Sequence, residues 1–186
     1  MDLYGSYTSP FVRHCRIALL ESGLPFEFHE TDYTVSAQKS PSKKVPFLQD
    51  DAVKLFDSAS ILRHIRTRAH QPFMATTEEY DQFLLVNTSL DALVNLFLLG
   101  KEGVTPENNG YLARQKARVD SSLAHLNSLP LPSTLPLNDA QLRLACYLGW
   151  IRFRDLIDLQ PYPNLVQLLT LADTHAAFAE TAPPSA

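Results

Sequence analysis

The chain has only two cysteines, Cys15 and Cys146, among 186 residues. Two thiols make neither a disulfide framework nor a tetrahedral metal site, so a reducing cytosol is expected. The six histidines are scattered without ligand spacing, and no metal is expected. Basic residues are also in short supply: 16 Lys and Arg stand against 20 Asp and Glu, a net charge of −4. No basic stripe runs along the chain, which argues against a nucleic-acid partner. The opening "MDLYGS" lacks a basic region followed by an apolar one, so no signal peptide is expected. The most apolar stretch, residues 83–100, is interrupted by Asn87, Asp91 and Asn95 and reads as too polar to span a bilayer. There is no internal repeat and no low-complexity segment.

What is there is an ordinary globular composition, 45% hydrophobic, in two parts of different character. Residues 1–70 mix short strand-like runs with helices. Residues 77–186 read as helix almost throughout. Between them "RAHQPFMAT" has no clear period, and 71–76 reads as a linker. In the first part "DLYG" is a short strand. Pro10 fits the first position of a helix, where its missing N–H is not missed. Phe11, Cys15, Ala18 and Leu19 follow at helical spacing, and Gly23 stops the helix ahead of Pro25. "FEFHE" alternates as a half-buried strand does. Residues 31–44 are polar, with room for at most a short helix. "PFLQ" and "VKLF" are strands around a turn at Asp50-Asp51. A second helix begins at "DSAS", with Asp57 or Ser58 as N-cap and basic residues in its last turns.

Three stretches then carry a resemblance. "SPFVRHCRIALLESGLPFE" is similar to the opening strand–helix–strand of the cytosolic glutathione S-transferases, in their bacterial serine-type branch. "SPSKKVPFL" resembles that family's "NPLGKVPVL", and "LFDSASILRHI" its "L-x-[ED]-S-x-x-I-x-x-Y-[IL]". All three occur in order and in register, and "LACYLGWIRFRDL" looks like the family's core helix. The resemblance implies a thioredoxin-like N-terminal domain, an all-helical C-terminal domain and a cytoplasmic homodimer. It implies glutathione as co-substrate, no metal, and a small electrophile as the second substrate. It also allows an alternative, a non-catalytic binding or regulatory module like the stringent starvation proteins. On the matching positions it implies Ser9 as the thiol contact, with Ser9, Phe11, Lys44, Val45, Pro46, Asp57 and Ser58 around the tripeptide. In the family the bond before this proline is cis, which would aim the Val45 backbone at the cysteinyl peptide like an added strand.

The chemistry of such a site agrees with the residue types. A free thiol has a pKa near 8.5 and is mostly protonated at neutral pH. A helix N-terminus lowers it. A hydroxyl donor to the sulfur adds roughly 1.5–3 kcal/mol, on the order of 1–2 pKa units. Ser9, directly before Pro10, is the hydroxyl best placed to donate. Ser6, Tyr7 and Thr8 are rivals on the same loop, and Ser9 can equally be a plain helix cap. The start of the second helix suits the γ-glutamyl carboxylate, with Asp57 assisting the ammonium.

Departures from the pattern are also visible. "SPSKK" lacks the family's Asn and Gly, so this loop has no residue that easily takes a positive φ. Pro136 stands three residues before Asp139, which removes the usual capping box of the core helix, although Asn138 could cap a shorter one. Cys15, Cys146 and Trp150 read as core. Arg13 and Arg16 could shape the surface of the first helix or a dimer contact, with a solvated role as the default reading.

Overall fold

The structure, a computed structural model, describes residues 1–184. Its contacts divide the chain into two compact units, each described by itself. The first holds residues 1–75 together with the chain from Asp173 on; the second is Thr76–Ala172.

The first unit is built on a four-stranded sheet. The strands are β1 (Asp2–Gly5), β2 (Glu27–Glu30), β3 (Phe47–Asp50) and β4 (Val53–Leu55), in the order β2-β1-β3-β4. β2 runs parallel to β1, while β3 and β4 run antiparallel to their neighbours. The parallel pair is joined by helix α1 (Pro10–Ser22), as a crossover connection requires. A short helix α2 (Tyr33–Lys39) leads to β3, and α3 (Ser58–Arg68) follows β4. The pleat sorts the side chains into two faces. Leu3 and Leu48 are register partners and are fully buried with Val12, Cys15, Ala18 and Leu19 of α1 and Ile61, Leu62 and Ile65 of α3. The next residues along, Tyr4 and Phe47, point the other way and stack at 4.6 Å, with His29 at 4.6 Å on the far side of Tyr4. Gly23 ends α1 at φ 65°, the left-handed cap that glycine takes without a Cβ penalty.

The last described helix packs back onto α1. This helix, Ala176–Glu180, is anchored through Arg13, whose Nη2 donates to the Phe178 carbonyl at 2.7 Å. The Arg13 guanidinium also lies 3.6 Å from the centre of the Phe178 ring. Arg13 is therefore only 4% exposed, not solvated as its charge suggests. Further along α1, Glu21 holds Arg66 at 2.6 Å and His175 at 3.0 Å. The Arg13 and His175 contacts tie the chain from Asp173 on to α1, and it falls in the first unit, where sequence pattern places it with the preceding helices.

The second unit is helical: α4 (Thr77–Lys101), α5 (Gly110–Ser128), α6 (Asp139–Arg154) and α7 (Pro163–Asp173), whose last residue falls in the first unit. The short helix Ala176–Glu180 becomes α8 in this order. α4 packs against α5 and α6. Ser89 and Tyr147 share a buried hydrogen bond of 2.9 Å between α4 and α6. α6 does have a capping box: Asn138 accepts from the Gln141 amide at 2.9 Å, and the Gln141 side chain accepts from the Asn138 amide at 2.9 Å. The family's Ser/Thr–Asp box is absent, as Pro136 dictates, and Asn138 caps the helix as expected, with Gln141 completing a different box. By length and mean hydropathy, 1.7 over its most apolar window, α4 alone among the described helices would suffice to cross a bilayer. This corrects the reading of that stretch as too polar. A helix shared between a core and a second apolar face passes the same test.

Candidate functional site

The sheet register brings the three sequence motifs to one end of the strands. Tyr4 pairs with Phe47 in antiparallel strands, so the chain leaves β1 at the end where it enters β3. Leu48 pairs with Leu55, so β4 also exits there, through Phe56 to Asp57. The Ser6–Ser9 turn, Val45-Pro46 and the start of α3 therefore share one end of the sheet. Two helices open at that end, α1 and α3, and Cys15 Sγ lies 4.0 Å from the Ser58 carbonyl, tying the second turn of α1 to the first residue of α3. Helix N-termini present unpaired N–H groups and a partial positive charge, a favourable setting for anions.

Ser9 is the N-cap of α1. Its Oγ accepts the Val12 amide at 3.4 Å and its carbonyl accepts the Arg13 amide at 2.9 Å. The turn ahead of it is closed by the Ser9 amide on the Ser6 carbonyl at 3.1 Å. Ser6 and Thr8 hydroxyls are engaged with each other at 3.1 Å, and the Thr8 amide donates to Ser6 Oγ at 3.3 Å. One of these two hydroxyls donates to the other, so only one of the rivals keeps a free O–H. Gly5 is required by close approach: a Cβ there would meet Val12 Cγ1 at 2.5 Å.

Tyr7 points out of the turn onto β2, edge-on to Phe28 at 4.8 Å. The Arg16 guanidinium lies 4.8 Å from the Tyr7 ring centre and 5.1 Å from that of Phe28. Burial pushes its pKa below the ordinary value, while the charges of Tyr7 and Glu180 push it up. Its Nη1 is buried and has no hydrogen-bond partner among the described residues. Charge alone gave no hint of this placement, and the reading of Arg16 as solvated is corrected. The helical spacing from Phe11 and Cys15 that marks the other face of α1 was the available signal.

The Val45-Pro46 bond is cis. Pro46 is buried, Val45 half-buried and Lys44 exposed. Lys43, standing where the family's loop has glycine, takes φ 52°, so the left-handed turn persists without glycine. Asp57, rather than Ser58, caps α3, its Oδ1 accepting the Ala59 amide at 2.8 Å. Ser58 is the first residue of the helix and is 6% exposed. Phe11 is half-buried in the first turn of α1.

Among the described residues one group of possible metal ligands comes together: Asp2, Glu27 and His29 at the β1–β2 edge. Pairwise histidine spacing in the sequence did not reveal it, because the sheet register makes it. His29 Nε2 is 3.1 Å from Asp2 Oδ1 and 3.8 Å from Glu27 Oε2, so one ring nitrogen faces both carboxylates.

Residues 3–73 match the model of the glutathione S-transferase N-terminal domain. The uncharacterized GST-like protein YibF of Escherichia coli strain K12 is 32% identical across the whole of both chains. The chain belongs to the glutathione S-transferase superfamily. Solved structures agree at the level of fold. A glutathione transferase family member from Pseudomonas fluorescens Pf-5 with bound glutathione is 22% identical, with a TM-score of 0.87 over 98% of each chain. A glutathione S-transferase from Methylobacillus flagellatus with bound glutathione is 22% identical, with a TM-score of 0.83 over 98% of this chain and 99% of that one. The expected architecture, a thioredoxin-like domain and a helical domain, is the observed one.

Proposed function

We propose that this protein is a glutathione S-transferase of the serine type, cytoplasmic and homodimeric. It binds glutathione, ionises its thiol and joins the sulfur to a small electrophile. The observation that carries this reading is the meeting of the Ser9, Val45-Pro46 and Asp57-Ser58 segments at one end of the sheet, where two helices open. In this reading the α1 N-terminus and the Ser9 O–H face the glutathione sulfur and favour its thiolate. The Val45 backbone pairs with the cysteinyl peptide. The α3 N-terminus takes the γ-glutamyl carboxylate, and Asp57 assists the ammonium. Phe11 and Lys44 complete the surroundings of the tripeptide, Lys44 reaching a carboxylate. The thiolate lone pair forms the C–S bond as the electrophile's leaving group departs or its π pair shifts to an acceptor. The thiol proton goes to solvent. Thiolate formation and positioning supply the rate. The dimer face is assigned to α4, whose Tyr80, Leu84, Leu98 and Leu99 are large apolar side chains left exposed, and to the region of α3.

Calorimetric titration with glutathione, followed by a panel of electrophiles, tests the proposal. Binding between micromolar and millimolar and turnover of at least one electrophile are expected. No heat and no thermal shift at about 10 mM glutathione would overturn it.

A further inference from the structure

We propose that Arg16 is a positioning residue that fixes the Ser6–Ser9 turn and thereby the direction of the Ser9 hydroxyl. This inference rests on the reading of Ser9 as the thiol contact.

The turn has four residues and three internal bonds, the Ser9 amide to the Ser6 carbonyl, the Thr8 amide to Ser6 Oγ and the Ser6–Thr8 hydroxyl pair. These fix its shape but not its placement. Its placement depends on Gly5, pressed on Val12, and on Tyr7, the side chain that leaves the turn for its surroundings. Tyr7 is seated edge-on against Phe28 of β2, and the Arg16 guanidinium lies within 5.1 Å of both ring centres. One planar cation from the second turn of α1 thus joins the turn before that helix to the strand after it. A flat guanidinium can lie against two ring faces at once, whereas a lysine ammonium, a point charge, serves such a double contact less well.

Stability alone does not account for an arginine here. Its Nη1 is buried without an acceptor among the described residues, which carries a desolvation cost. An apolar side chain would fill the same space without that cost. What the guanidinium adds is direction: it holds the Tyr7 ring against Phe28 with Ser9 two residues further on. A catalytic hydroxyl displaced by about 1 Å loses on the order of a hundredfold in effect. The charged and titratable groups that act on Arg16 are Tyr7 and Glu180 of α8.

The test is the ultraviolet thiolate absorbance of the glutathione complex against pH, with calorimetry for affinity. Wild type, Ser9→Ala, Arg16→Met, Arg16→Lys and the Ser9→Ala/Arg16→Met double variant are compared. Arg16→Met should raise the pKa of the bound thiol by at least roughly half the Ser9→Ala shift. Its glutathione affinity should change by less than about threefold. The double variant should titrate like Ser9→Ala alone, because the two act through one hydroxyl. Arg16→Lys should fall between wild type and Arg16→Met. A Ser9→Ala shift with an unmoved Arg16→Met titration overturns the inference while the Ser9 reading stands, as does full additivity in the double variant. An unmoved Ser9→Ala titration overturns both. Where Arg16→Met fails to fold, Tyr7→Leu opens the same clamp from its other side. It must then raise the thiol pKa, and no change counts against the inference.

Discussion

Ser9 Oγ accepts the Val12 amide at 3.4 Å, and no described residue takes the hydroxyl proton in return. Capping a helix and donating to a ligand use different parts of one hydroxyl, a lone pair for the first and the O–H for the second. The two roles of a serine before proline are therefore compatible. The capping part has its own signature. Ser9→Ala is expected to lower stability by about 0.5–2 kcal/mol without any ligand present, read from urea unfolding.

The contact of Gly5 with Val12 gives a second expectation. A methyl group at Gly5 would sit 2.5 Å from Val12 Cγ1 and 2.6 Å from Cγ2. Gly5→Ala should cost about 1–3 kcal/mol through overpacking. In a Val12→Ala background, where both γ carbons are gone, the same change should cost much less. Equal costs in the two backgrounds would place the strain elsewhere.

Much of the first unit is legible in the sequence because local chemistry decides it. Pro10, Gly23 and Asp57 mark helix ends through backbone rules that need no tertiary context, and each marks one in the structure. The Asp50-Asp51 turn is where β3 and β4 meet, with Asp51 at φ 49°. What is not legible is where charged side chains go. Arg13 is buried by α8, which lies 165 residues away in sequence from the bond it makes, and periodicity cannot see such a partner. Asp50 is likewise buried by His64 at 2.7 Å and Arg68 at 3.0 Å. At the candidate site the motif residues could be named, but the engagement of Ser6 with Thr8 and the clamp on Tyr7 arise from the folded turn.

Lys43 provides a test of the loop before β3. It holds φ 52°, a left-handed conformation that costs a non-glycine residue about 1–2 kcal/mol. Lys43→Gly relieves that cost and adds the chain entropy of glycine, about 0.5–1 kcal/mol. A net gain of up to about 1.5 kcal/mol is expected in denaturant unfolding. A loss would show that the lysine side chain contributes more than its backbone costs.

Tyr147 links the second unit to pH. Burial pushes its phenol well above the ordinary value, the hydrogen bond with Ser89 pulling the other way. The neutral form is favoured in the folded state, so its contribution is complete below the unfolded value of about 10 and declines as pH rises past it. Tyr147→Phe should cost about 1–3 kcal/mol at pH 7, because it leaves the buried Ser89 hydroxyl without this partner. It should also flatten the fall in stability above about pH 10, measured by denaturation across that range. An unchanged alkaline slope would contradict the assignment.

The central claim is that the Ser9 hydroxyl stabilises the thiolate of bound glutathione. Thiolate absorbance near the ultraviolet edge, followed against pH in the complexes of wild type, Ser9→Ala and Tyr7→Phe, tests it most directly. Ser9→Ala should raise the pKa of the bound thiol by on the order of 1–2 units. Tyr7→Phe keeps the ring and loses only the phenol oxygen, and its titration should coincide with wild type. A Ser9→Ala titration that stays in place while Tyr7→Phe moves would contradict the claim and assign the thiol contact to the tyrosine.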